Sequence, residues 1–198
     1  MNIHNEKTFY PALLKDMYNA ENEVIIYSPF ISKYRADFFR EPLSKLKRRN
    51  INVFIFTRHV EEHEKYIQNE VRQALEVYKK LGVHIIYLSG SIHQKIAIID
   101  RKILWEGSMN ILSQRSSREI MKRIANEDSV RQIMSHLKLT EKLAIKAKTG
   151  NPNLGILTSL RQAFISVVRW SLFTFYRVLI IVLKSVLAVF NILDAIFN

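Results

Sequence analysis

Apolar positions along the first 140 residues fall into alternating helical and extended patterns. Residues 5–20 place Phe9, Leu13, Leu14 and Met17 on one helical stripe, which Asn22 ends. Residues 24–27 form a continuous apolar run of strand length, closed by Ser28-Pro29. Residues 34–49 predict a helix whose last turns carry Lys45, Lys47, Arg48 and Arg49, cations suited to the negative end of the helix dipole. A second strand follows at 53–56, closed by Thr57-Arg58, then a long helix over 61–81 with Gly82 as its stop. A third strand falls at 83–88. Residues 93–99 and 103–105 predict the arms of a β-hairpin turning at Asp100-Arg101-Lys102. Another strand is predicted at 117–123 and another helix at 128–139. The order βαβαβ, hairpin, β, α predicts an α/β fold, with a mixed, mostly parallel sheet flanked by crossover helices. There is no internal repeat.

The pattern breaks at 149–155, TGNPNLG, a cluster of turn formers. It divides a domain at 1–149 from a C-terminal segment at 156–198, with 150–155 as linker. The segment has no Gly or Pro, and its polar residues Gln162, Ser166, Arg169, Arg177, Lys184, Asn191 and Asp194 fall on one narrow helical arc. Its longest charge-free run, 185–193, is well short of the ~18 to 20 residues of a simple membrane span. Arg177 and Lys184 would be costly inside one. Two readings fit this apolar helical tail: an amphipathic helix lying on a membrane, its cations at anionic headgroups, or a helix packed between subunits.

Charge narrows the class of partner. The chain carries a formal +12, of which Arg161, Arg169, Arg177 and Lys184 against Asp194 supply +3, leaving +9 on residues 1–150. A basic body suits a polyanion, either nucleic acid or an anionic membrane surface. With no cysteine, disulfides, thiolate metal sites and a thiol nucleophile are excluded. The N-terminus lacks the charged start and apolar core of a signal peptide. A cytoplasmic protein, membrane-associated through its C-terminal segment, is the expectation.

The candidate chemistry concentrates in residues 93–110, HQKIAIIDRKILWEGSMN. In a strand, His93 and Lys95 project to one face, while Asp100, an odd number of residues from His93, does not join them and is placed to cap the strand or start the turn. Gly107, Ser108 and Asn110 follow as a loop with small polar tips. Cleaving a phosphodiester requires a nucleophile, a proton donor for the leaving oxygen, and donors on the non-bridging oxygens. Imidazoles and ammoniums supply these without a metal, and nothing in the stretch resembles a metal cage.

The pattern H-x-K-x4-D-x6-G-S-x-N, filled by His93, Lys95, Asp100, Gly107, Ser108 and Asn110, resembles the signature of the phospholipase D superfamily, with every position at the expected spacing. Residues 24–32 and 53–58 resemble the first strands of its nuclease-like branch, and Ser117-Arg118-Glu119 resembles that branch's second acidic position. The resemblance covers roughly residues 5–140 and implies the phospholipase D/nuclease fold, independence of metals and cofactors, and, for a member with a single motif, a homodimer whose two motifs form one site. In that scheme His93 of one subunit attacks phosphorus and His93 of the other protonates the leaving oxygen. Lys95 neutralises phosphate charge. Ser108 and Asn110 donate to the phosphate or hold the His-Lys pair. Glu119 orients the His93 ring, and Asp100 is mainly architectural.

Further candidates lie outside the signature. Ser28 and Arg58 end the first and second strands, where ligands gather in α/β sheets. Arg115 and Arg118 flank the motif as phosphate contacts. His59 and His63 have zinc-compatible spacing, but without Glu after the first His they are not a metalloprotease motif and read as a solvated helix face. The leading expectation is a homodimeric nuclease cutting DNA or RNA. The alternatives are a phosphatidyl hydrolase or transferase at a membrane, and a non-catalytic nucleic-acid-binding or membrane-active module.

Overall fold

A computed structural model describes residues 2–90 and 92–150, with the backbone alone at 146–150. The C-terminal segment and all of the linker after Gly150 lie outside the described residues. The first of the chain's two units, Met1–Lys142, carries the whole sheet.

The elements in order are β1 (Asn2–Asn5), α1 (Phe9–Tyr18), β2 (Glu23–Tyr27), α2 (Lys33–Arg48), β3 (Asn52–Arg58), a 3-10 turn (Val60–Glu62), α3 (Gln68–Lys80), β4 (His84–Leu88), β5 (Ile96–Ile99), β6 (Ile103–Gly107), β7 (Ile120–Ala125), α4 (Glu127–His136) and α5 (Leu139–Gly150). They build one seven-stranded sheet in the order β1-β7-β6-β5-β2-β3-β4. The sheet is mixed, as the element order predicts. Only β2–β3 and β3–β4 are parallel ladders; every other pairing is antiparallel. In direction, β1, β2, β3, β4 and β6 run together, and β5 and β7 run against them.

The main core lies on one face. Val24, Ile26, Val53, Ile55, Ala97, Ile99, Trp105 and Met121 pack there with Phe9, Leu13, Phe39, Leu43, Leu46 and Tyr78 from α1, α2 and α3. Asp16 sits on the buried stripe of α1 and is satisfied rather than excluded. It accepts from Trp105 Nε1 at 2.8 Å and pairs with Arg123 through Nε at 2.7 Å and Nη2 at 2.8 Å. On the opposite face Ile25, Tyr27, Phe56, Ile96, Ile98 and Leu104 are buried, and α4 packs against β6.

One observed strand was not predicted, and two predicted elements differ from those observed. β1 has no apolar alternation and is held by its ladder to β7. The helix predicted over 61–81 breaks into the 3-10 turn and α3, because side chains capture the carbonyls a continuous helix would use. Arg58 Nη2 donates to Glu62 O at 2.7 Å and Gln68 Nε2 to His63 O at 3.0 Å. The strand predicted at 93–99 begins only at Ile96. Its partner β2 ends at Tyr27, opposite Ile96, and Ser28-Pro29 leads the chain away, so 93–95 have no ladder to join.

Candidate active site

Strand register decides which predicted residues can meet. Tyr27 at the end of β2 pairs with Ile96 at the start of β5. Ile96 pairs with Glu106 near the end of β6, Gly107 with Met121 in β7, and Asn5 with Ile120. One end of the sheet therefore gathers Ser28, Arg58, His93, Lys95, Ser108, Asn110 and Glu119. Asp100 lies at the opposite end.

The hairpin turn explains Asp100. Lys102 N donates to Ile99 O at 2.9 Å, and Asp100 and Arg101 have φ of 51° and 56°, both in the left-handed region. This is the two-residue turn whose twist matches a hairpin. The Asp100 carboxylate accepts from the backbone N–H groups of Glu21, Asn22 and Glu23 at 2.8, 2.8 and 2.9 Å. Burial alone would raise its pKa, but these three donors outweigh burial and leave it lowered. The residue staples the hairpin to the α1–β2 connection, at the end of the sheet away from His93 and Lys95.

At the site end, His93 is exposed and Lys95 half-buried. Lys95 Nζ donates to His93 O at 2.5 Å, so the ammonium lies along the histidine's own backbone. Ser108 is fixed against β7: its N–H donates to Ile120 O at 3.0 Å and its Oγ accepts from Ile120 N at 3.3 Å. Gly107 is required beside it, because a Cβ there would lie 2.1 Å from Ile120 O and 2.9 Å from Met121 Cα. Asn110 accepts through its carbonyl from Ser113 N and Gln114 N, while its buried Oδ1 has no partner. Glu119 accepts from Ser117 Oγ at 3.1 Å, and the ring of His93 is not among its hydrogen-bond partners.

The loop carrying these residues is strapped to the domain by groups that local sequence patterning does not single out. Ser32 N donates to Leu112 O at 2.9 Å, Tyr10 OH to Ile111 O at 3.0 Å, and Arg35 Nε to Gln114 O at 2.6 Å. Gln114 Nε2 in turn donates to Ser117 O and Oγ at 2.7 and 2.8 Å. Ser28 belongs to this scaffold. It is fully buried, its hydroxyl donating to Phe30 O at 3.0 Å and accepting from Leu112 N at 3.2 Å.

Of the candidate cations, Arg58 bonds Glu62, and Arg115 pairs with Glu70 at 3.2 Å. Arg118 has no ion pair among the described residues and lines a shallow cavity of about 390 Å³ with Ser108 and Glu119. A second cavity of about 330 Å³ is lined by Lys95, Glu106 and Lys122. Another, of about 430 Å³, is lined by Arg101, Arg131 and Lys138 and does not involve the signature. The pair His59 and His63 does not form the solvated helix face predicted for it. His59 stacks on Tyr87 at 4.8 Å, and His63 is buried with neither ring nitrogen partnered, its pKa lowered by burial and by Arg58. Among the described residues no three His, Asp or Glu side chains group as metal ligands.

The fold and a family match over most of the chain define the class, a phospholipase D-like protein. The chain belongs to the family described as cardiolipin synthase, PLD-like domain, which matches residues 13–139. No curated protein sequence matches it. Among solved structures it is similar to Nuc from Salmonella typhimurium, described as a phospholipase D family member. That likeness has a TM-score of 0.58 and 15% identity, covering 69% of this chain and 90% of that one. NucT from Helicobacter pylori gives a TM-score of 0.55 at 18% identity, covering 71% of this chain and 98% of that one. A polyphosphate kinase from Porphyromonas gingivalis gives 0.55 at 13% identity, covering 70% of this chain but 25% of that one. These likenesses carry the fold. No helix among the described residues is long and apolar enough to cross a membrane.

Proposed function

We propose that the protein is a metal-independent endonuclease acting on DNA or RNA through a phosphohistidine at a site shared by two copies of the chain. The observation that carries this reading is the gathering of His93, Lys95, Ser108 and Asn110 at one end of the sheet without a second exposed, uncommitted imidazole among the described residues. The other histidines at that end are committed elsewhere, His4 against Trp105 with its Nε2 buried, His59 to Tyr87 and His63 to the interior. A second His93 completes the chemistry. One imidazole attacks phosphorus and the P–O bond to the leaving strand breaks. The other imidazolium protonates that oxygen, then takes a proton from the water that splits the P–N bond. Lys95 from both chains offsets charge on the equatorial oxygens. Arg118, and Arg115 if released from Glu70, contact flanking phosphates. Glu119 turns from Ser117 to the His93 ring when the site is complete. The net charge of +12 suits a nucleic acid.

The family description names a lipid enzyme, which favours phosphatidyl transfer or hydrolysis as the second reading. Purified protein in EDTA, given plasmid, single-stranded DNA, RNA and labelled phospholipid, separates the two. Cleavage of nucleic acid that His93→Ala abolishes in a folded dimer is the expected result. Turnover of lipid alone would overturn the nuclease reading, and full activity of the variant would overturn the role of His93.

A further inference from the structure

The first turn of α2 holds a group that the phosphodiesterase chemistry does not use. Arg35 is only 7% exposed and makes no ion pair among the described residues. Its guanidinium lies 3.7 Å from the ring centroid of Tyr10, 5.0 Å from that of Tyr34 and 5.1 Å from that of Phe38. Burying a cation without a carboxylate is costly, and the rings recover part of that cost through their negative faces. Tyr34 is also approached by a second guanidinium, that of Arg115, at 5.7 Å. Tyr34 nevertheless remains 54% exposed and Phe38 37%. Arg115 also reaches Glu70, which accepts from Lys33 N as well, so one carboxylate sits at the rim.

This cluster adjoins the candidate active site. α2 begins just beyond the end of β2 that faces the site, and its N-cap residue Ser32 and Arg35 both bond the loop that carries Asn110 and Glu119. Exposed rings flanked by arginines, beside a phosphodiester site on a basic chain, match an unstacked base with its phosphates. A duplex presents phosphates and base edges but keeps its base faces covered, so it would leave these rings unused.

We propose that Tyr34, with Phe38, Arg35 and Arg115, is a stacking platform for single-stranded nucleic acid entering the site. The inference rests on the nucleic-acid reading above and narrows it to unpaired strands. It is tested on the full chain by fluorescence anisotropy with labelled dT20, U20 and a mixed-sequence 20-base-pair duplex, comparing wild type with Tyr34→Ala and Tyr34→Phe. Alanine should weaken dT20 or U20 binding roughly 5- to 150-fold, the range for one lost base stack. Phenylalanine should retain it, and duplex binding should be the same in all three. The DNA and RNA arms show which strand the platform takes. Tyr34→Trp supplies an independent readout, since a stacked base should quench its fluorescence. Unchanged single-strand affinity in Tyr34→Ala, equal losses for strand and duplex, or an unquenched tryptophan overturns the platform while leaving the nuclease reading intact. Wild type that binds no nucleic acid overturns both.

Discussion

Gly107 shows how the signature's small residues act through space rather than chemistry. Its Cα hydrogen faces the β7 backbone so closely that a methyl would overlap Ile120 O and crowd Met121 Sδ at 2.8 Å. The obstructing atoms are partly backbone, so the cost of Gly107→Ala cannot be relieved by a rotamer change. It should destabilise the protein by about 3 kcal/mol, read as a lower urea midpoint. The glycine's place in the signature is legible from spacing, but the reason for it is not, because the obstructing atoms lie on a strand that begins more than ten residues later. Arg35 and Gln114 are harder still to see in sequence. They meet across 79 positions, and neither has a local pattern that marks it. Asp16 meets Trp105 across 89 positions and occupies a helical stripe that otherwise reads as apolar.

At the scale of elements, the hairpin β5–β6 is held at its turn by the Asp100 carboxylate. Because the folded-state pKa of Asp100 is lowered, the carboxylate's contribution is complete above the ordinary carboxylate range. It is lost as pH falls through the folded value, when the protonated group no longer accepts three N–H bonds at full strength. Asp100→Asn should therefore cost about 2 kcal/mol at neutral pH, and the gap between variant and wild type should narrow in denaturation curves taken below about pH 4. Far from the site end, the variant should lose stability before it loses turnover. Strands β2 and β3 were legible because continuous apolar runs report strands buried on both faces, and β4 because its apolar run stands out even at the sheet edge. The break at 59–67 was not, because long-side-chain bonds to backbone carbonyls, rather than apolar spacing, end the helix there. Residues 93–95 look like strand by alternation, yet their ladder partner ends first.

For the whole molecule, one His-x-Lys set per chain makes the proposed activity a property of pairs. If two copies of His93 form each site, mixing wild-type chains with an excess of His93→Ala chains and allowing exchange should reduce specific activity as the square of the wild-type fraction. A linear fall, with each chain keeping its own activity, would remove the shared site. Charge acts at the same scale. The +9 on residues 1–150 includes cations at both the site end and the basic end of α2, so charge alone does not locate a contact. The sequence carried the superfamily and the overall layout, since these follow from local spacing. Which strand lies beside which was decided by the register of the antiparallel half.

The two-residue turn at Asp100–Arg101 also bears on the order in which the protein assembles. The hairpin 96–107 is the most local pairing in the sheet, whereas β1 must find β7 across well over a hundred residues. Loop-closure entropy favours the short pairing, and hairpins of this kind close within about 1–10 microseconds. The backbone between Ile96 and Gly107 therefore acquires its spacing early, before the distant strand that completes the sheet arrives. Much of the signature is written on the segment that needs the least of the rest of the chain to take shape. A mutation that delays closure of β1 onto β7 should slow completion of the fold while leaving that spacing nearly intact.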